Sequence, residues 1–243
     1  MSKINELLRE GRHRELWQMC CGFLDLSLDQ FMAIQKQLLL EQVELLKRCK
    51  LGRKVMRGAM PETIAEFRAQ VPLTTYKDYC PELLEQREDV LPVKPDRWVK
   101  TSGRSGEYPY KWVPISKKFW QEAGINFTAI AIFGSCSNKG EIAFKNGFKL
   151  LHAMAHPPYL TGNVASRLGE DLGFQFLPPL SQSKNMSFEE RVDKGFNMAF
   201  SKGMDGFFGL AGVLVAIGER FRQGTGSVRL GRLLLQPLKL WRI

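Results

Sequence analysis

The densest run of chemistry-bearing residues is Thr101-Ser-Gly-Arg-Ser-Gly-Glu-Tyr-Pro-Tyr-Lys111. It sets three aliphatic hydroxyl residues, two glycines, an arginine and a lysine within eleven positions. Glycines let backbone N–H groups approach an anion closely, and hydroxyls add donors to its oxygens. Lysine supplies a positive charge on a flexible stem. These residue types at this spacing suit phosphate oxygens; the plain alternative is a polar surface turn. The run is not a Walker A loop, because Lys111 follows Tyr110 rather than glycine and Trp112 stands where that loop needs serine or threonine.

Other constellations carry less. His152-Ala-Met-Ala-His156 spaces two imidazoles at i and i+4, the helical separation of a zinc pair. No glutamate lies between them and Pro157-Pro158 follows, so a structural role is expected and no metal site is assigned. Met198 and Met204, with Phe196, Phe200, Phe207 and Phe208, read as core. No Gly-x-Ser-x-Gly elbow occurs, and Gly224-Thr-Gly226 with Gly231 does not match the dinucleotide fingerprint. The five cysteines are odd in number and share no repeated spacing, and the start Met1-Ser-Lys-Ile-Asn lacks an apolar leader region. Reduced packing cysteines and a cytoplasmic location are the expectation.

The chain of 243 residues, 44% hydrophobic and 25% charged, is long enough for one large domain or two small ones and is not disordered by composition. Residues 1–90 read as mainly helical. Ser27-Leu-Asp-Gln30 fits a capping box, with Phe31, Ile34 and Leu38 following at helical spacing toward about Lys50 and a stop at Gly52. A shorter helix is expected from Pro61 to Val71-Pro72. From Leu91 the texture changes: Trp98-Val99 predicts a short strand running into the Gly-rich loop. Ser116 can cap the next helix, with Phe119, Ala123, Phe127 and Ala131 on one face. Phe148–Leu151 and Phe174–Leu177 have strand character and flank a helix near Val164–Leu172. Ser187-Phe-Glu-Glu190 is a second capping box, and Gly203-Met-Asp-Gly206 turns the chain into an apolar strand-to-helix element. The fold class expected is α/β (α+β layered): a helical lead-in over 1–90 and an α/β portion over 91–243.

Net charge is +10, from 35 Lys+Arg and 25 Asp+Glu. Beyond Glu219 lie Arg220, Arg222, Arg229, Arg232, Lys239 and Arg242 with no acidic residue. A basic end suits nucleic acid, a membrane surface or an anionic ligand, or it lacks acidic partners supplied by other sequence. The last reading is preferred, and no nucleic-acid partner is expected. Gly206–Gly218 is uncharged over 13 residues, too short to span a bilayer, so no transmembrane segment is expected.

Three ordered blocks supply a resemblance. Thr101-Ser-Gly-Arg-Ser-Gly106 followed by Lys111 resembles the Ser/Thr/Gly-rich phosphate loop of acyl-adenylate-forming enzymes. Lys111-Trp-Val-Pro-Ile-Ser116, Glu44-Leu-Leu-Lys-Arg48 with Gly52-Arg-Lys54, and Val71-Pro-Leu-Thr-Thr-Tyr-Lys-Asp-Tyr79 are similar to one branch of that superfamily. That branch is the plant auxin-conjugating acyl acid amido synthetases and their bacterial relatives. Met204–Phe221 is similar to the same branch.

The resemblance implies part of the large N-terminal domain of an adenylate-forming ligase. ATP and a small carboxylic acid would give an acyl-adenylate, and an amine or thiol would then displace AMP. Thr101, Ser102, Gly103, Arg104, Ser105 and Gly106 would cradle phosphates with Lys111 in support, Mg²⁺ would accompany ATP without assignable protein ligands, and His156, Tyr159 and Thr161 would line the acid pocket. Arg104 departs from the small hydroxyl residue common at its place, and Glu107-Tyr-Pro-Tyr110 lengthens the approach to Lys111. The adenine-site block, ribose aspartate, hinge and C-terminal domain of such relatives are not found in these residues. The expectation is therefore a truncated or split ligase with little activity alone, a second polypeptide being one way to complete the site. The alternatives are a catalytically silent nucleotide-binding interaction protein and a basic membrane- or nucleic-acid-binding module.

Overall fold

The computed structural model describes residues 2–102 and 108–222. In chain order these residues form helices α1 (Lys3–Arg9), α2 (His13–Cys21), α3 (Leu28–Lys47), α4 (Lys50–Val55) and α5 (Ile64–Gln70), then strands β1 (Arg97–Ser102) and β2 (Tyr110–Ile115). Helix α6 (Lys117–Phe133) leads to β3 (Lys149–Ala153), α7 (Leu160–Leu172), β4 (Gln175–Leu177), α8 (Leu180–Ser183), α9 (Phe188–Lys202), β5 (Gly206–Gly209) and α10 (Ala211–Arg222). Mixed helix and sheet with a helical N-terminal segment is the α/β class expected. The chain divides into two compact units, Gln18–Ala123 and Met1–Trp17 with Gly124–Ile243. No described helix is long and apolar enough to cross a membrane.

In the first unit, α3 opens on the Ser27 capping box, with both reciprocal hydrogen bonds formed. The helix does not run on to Gly52. It ends at Lys47, and Cys49 caps α4 by accepting a hydrogen bond from the Gly52 N–H on its sulfur. Gly52 lies inside α4 because a Cβ there would come within 2.1 Å of the Leu46 carbonyl oxygen. Its glycine permits close backbone approach rather than a stop. Thr63, not Pro61, opens α5, and Val71 leaves the helical region ahead of Pro72 as expected. Cys49, Leu51, Val55, Met56, Leu83 and Val90 form the core, with Tyr76 and Trp98 packed against it. Strands β1 and β2 form an antiparallel hairpin, Arg97 opposite Ile115 and Ser102 opposite Tyr110.

The second unit holds a three-stranded parallel sheet in the order β4-β3-β5. The chain leaves central β3 through α7 to β4 on one side, then returns through α8 and α9 to β5 on the other, so strand order reverses at β3. Leu151, Ala153 and Leu177 pack with Val192 and Ala199 of α9. Helix α9 opens on the Ser187 capping box. In α6, Phe119 is exposed; the buried side runs through Trp120, Ala123, Thr128, Ala129 and Ile132. Of the expected face through Phe119, Ala123, Phe127 and Ala131, only Ala123 is buried, and the packed side is displaced around the helix. Trp120 instead lies under the Arg97 guanidinium, 4.1 Å from its ring centroid.

Candidate functional site

The hairpin turns the spacing of Thr101 and Lys111 into proximity. They are ten positions apart in sequence but directly opposite in the ladder. Opposite residues of an antiparallel pair have Cβ atoms about 4.5–5.5 Å apart. Ser102 faces Tyr110 in the next pair. Gly103, Arg104, Ser105 and Gly106 lie outside the described residues.

Tyr76 holds this hairpin in place. Its hydroxyl accepts a hydrogen bond from the Trp112 N–H at 2.8 Å and donates to the Trp112 carbonyl at 3.0 Å. The outer edge of β2 is thereby closed by one side chain. Lys111 Nζ lies 5.7 Å from the Tyr76 ring centroid, and Tyr108 meets the same ring edge-on at 5.3 Å. Burial raises the Tyr76 phenol above its ordinary pKa, so it stays a neutral donor. Tyr76 starts a 3-10 turn (Tyr76–Tyr79) whose capping box joins Thr75 and Asp78, with the Thr75 N–H donating to the Asp78 carboxylate at 2.6 Å. The opposite hairpin face carries Lys100, its Nζ 4.3 Å from the Tyr110 ring and 4.9 Å from the Trp112 ring. Lys100 and Lys111 bring positive charge to both faces beside the loop. Sequence reasoning missed Tyr76 as a positioning residue; the Val71–Tyr79 block contains it, but only the fold reveals its bond to β2.

A cleft of about 1320 Å³ also belongs to this unit, lined by residues including Leu38, Glu41, Leu45, Leu91, Ile115 and Phe119. It opens at the Ile115 end of β2, away from the loop.

In the second unit, His156 and Tyr159 fall on the turn from β3 into α7, and Thr161 is the second residue of α7. The Tyr159 N–H donates to the His156 carbonyl, and Tyr159 stands at the N-cap of α7. His156 Nε2 lies 2.6 Å from the Ser183 carbonyl oxygen. His152 does not share a helix with His156. It is a β3 residue, 2% exposed, between Phe176 at 5.6 Å and Phe208 at 5.9 Å. Burial, then the charges of Arg191 and His156, lowers its pKa to about 4. Its ring is therefore neutral at pH 7. Among the described residues, no three His, Cys, Asp or Glu side chains gather as a metal cluster.

The hairpin and the short parallel sheet define a mixed α/β protein with a glycine- and hydroxyl-rich strand connection. Residues 21–154, more than half the chain, match the model of the GH3 family N-terminal domain, and the chain belongs to the GH3 family. That family comprises auxin-conjugating acyl acid amido synthetases of the adenylate-forming superfamily, ligases that use a nucleotide and a carboxylic acid. No curated protein and no solved structure matches the chain.

Proposed function

We propose that this chain binds the phosphates of ATP on the β1–β2 connection and serves acyl-adenylate formation as part of an N-terminal adenylation domain. A carboxylate oxygen attacks the α-phosphorus, the bond to the bridging oxygen breaks, and pyrophosphate leaves. Donors from Thr101, Ser102, Gly103, Arg104, Ser105 and Gly106 face the phosphates, and the Lys111 ammonium offsets the charge that grows on the leaving pyrophosphate. His156, Tyr159 and Thr161 contribute to the pocket for the acid. A Mg²⁺ ion accompanying ATP would supply charge neutralisation at the phosphates, with no ligand assigned among the described residues.

The observation that carries this reading is the pairing of Thr101 with Lys111 across the hairpin. It offsets the lengthened Glu107–Tyr110 stretch, because the antiparallel register returns the lysine to the mouth of the loop. Membership of the GH3 family supplies the chemistry. ATP titration of the wild type and Gly103→Asp tests it, with pyrophosphate exchange as the activity readout. A carboxylate placed among the phosphates should weaken ATP binding by roughly 100-fold or more. Equal affinities would remove the loop from the site. Loop-dependent ATP binding without exchange would instead assign a nucleotide-binding interaction protein.

A further inference from the structure

Arg191 is 2% exposed, yet its guanidinium faces no carboxylate within ion-pair distance among the described residues. One nitrogen, Nη2, donates to the Met154 carbonyl, while Nε has no partner among the described residues. Burial alone lowers its pKa, with no opposing charge to hold it up. The adjacent Glu190 is engaged elsewhere, accepting from the Ser187 N–H at 2.8 Å. A buried charge without its partner is among the costliest arrangements a fold can hold.

The surroundings share the same deficit. On the sheet face opposite α9, both ring nitrogens of His152, also 2% exposed, lack a partner among the described residues. The 13-residue helix α7 begins with no side-chain cap and no acidic residue in its first turn. Its first turn abuts the Met154–Tyr159 connection, since a Cβ on Gly162 would come within 2.3 Å of the Pro157 nitrogen. All of this lies at the carboxyl end of β3, where the strand order reverses and parallel sheets place their ligands. A cation and a helix N-terminus without a side-chain cap are both complementary to negative charge.

We propose that Arg191, beside the uncapped first turn of α7, receives an oxyanion, a carboxylate or phosphate oxygen. Phe188 covers this site: it is 40% exposed, and its ring centroid lies 5.4 Å from the guanidinium carbon. Assigning the anion as the carboxylate of the acid substrate rests on the ligase reading; the existence of the anion site does not.

The test is thermal unfolding of the whole chain with sodium benzoate or sodium pyrophosphate, against sodium chloride of equal ionic strength. A tenfold excess of anion over its Kd should raise Tm saturably, by roughly 3–6 °C. Arg191→Met should abolish that rise and leave the ligand-free Tm unchanged or higher, because an unpaired buried charge is removed. Arg191→Lys should weaken binding by roughly tenfold, through loss of the guanidinium fork. Phe188→Ala should keep or strengthen the response; these last two variants keep the charge and carry the test if Arg191→Met does not fold. A response to benzoate alone assigns the acid's carboxylate. A response to pyrophosphate that survives Gly103→Asp assigns a phosphate at Arg191. No saturable response in the wild type overturns the proposal, as does Arg191→Met that lowers the ligand-free Tm and leaves the response intact. Arginine 191 would then be only a strut for the Met154 carbonyl. Loss of loop-dependent ATP binding with the Arg191 response preserved would sink the ligase reading and leave this site standing.

Discussion

The hairpin of the first unit and the parallel sheet of the second place chemistry by opposite means. In the hairpin, Thr101 and Lys111 meet through a short antiparallel connection, and their surroundings are half exposed. In the sheet, β3, β4 and β5 come together from positions spread over Lys149–Gly209, and Leu151 and Ala153 are fully buried. The hairpin can therefore present charged donors in water at little cost. The sheet holds His152 and Arg191 out of water, where each unsatisfied nitrogen costs stability until a partner arrives. The contrast distinguishes a site built from local chain geometry from one built by burial.

The largest effect that would sharpen this contrast is expected at Leu151. Leu151→Ala removes a fully buried side chain between β4, β5 and α9, and should destabilise the fold by about 2–5 kcal/mol. Urea denaturation followed by circular dichroism measures it. A change under about 1 kcal/mol would mean that the sheet is loosely packed.

His152 gives the next effect, and it depends on pH. The unfolded imidazole titrates at 6.5 and the folded one at about 4, so the unfolded chain binds more protons between those values. The stability this neutral histidine contributes is fully present above pH 6.5 and is lost as pH falls toward 4. The loss amounts to about 3 kcal/mol. Burial shifts His156 in the same direction. Denaturation midpoints at pH 7 and pH 4 should therefore fall further in the wild type than in His152→Leu. Parallel profiles would break the argument that burial controls this region.

The smallest effect belongs to the hairpin. Tyr76→Phe removes both hydrogen bonds to Trp112 and should cost about 1–2 kcal/mol. Because Tyr76 positions β2, the same variant should also weaken ATP binding, whereas Leu151→Ala should leave the affinity of the folded protein unchanged. Calorimetric titration of the two variants reads the difference. An ATP affinity indifferent to Tyr76→Phe would detach the hairpin edge from the loop's function.

How much was legible follows the same division. The capping boxes at Ser27 and Ser187 and the helix end at Val71-Pro72 need only neighbours within four residues, and they formed as expected. The strand into the loop was legible from Trp98-Val99, and β3, β4 and β5 from their short apolar runs. Gly52 was misread as a stop because its requirement is set by the Leu46 backbone of another helix. The buried face of α6 was misplaced because Phe119 lies outside the packed side while Thr128 is fully enclosed. Tyr76 carries no sequence mark of its bond to Trp112, 36 positions away.

The sequence by itself determined the capping boxes that open α3 and α9, the strand that runs into the Gly-rich loop, and the family to which residues 21–154 belong. Each rests on adjacent side chains or on an ordered run of residue types, information that survives in a linear string. Tertiary structure alone decided that Lys111 stands opposite Thr101, that Tyr76 closes the edge of β2, and that Arg191 and His152 share a buried end of a parallel sheet. Register, burial and the loss of a partner arise only when distant segments exclude water together, and that exclusion gives an arginine in a helix the character of an anion site.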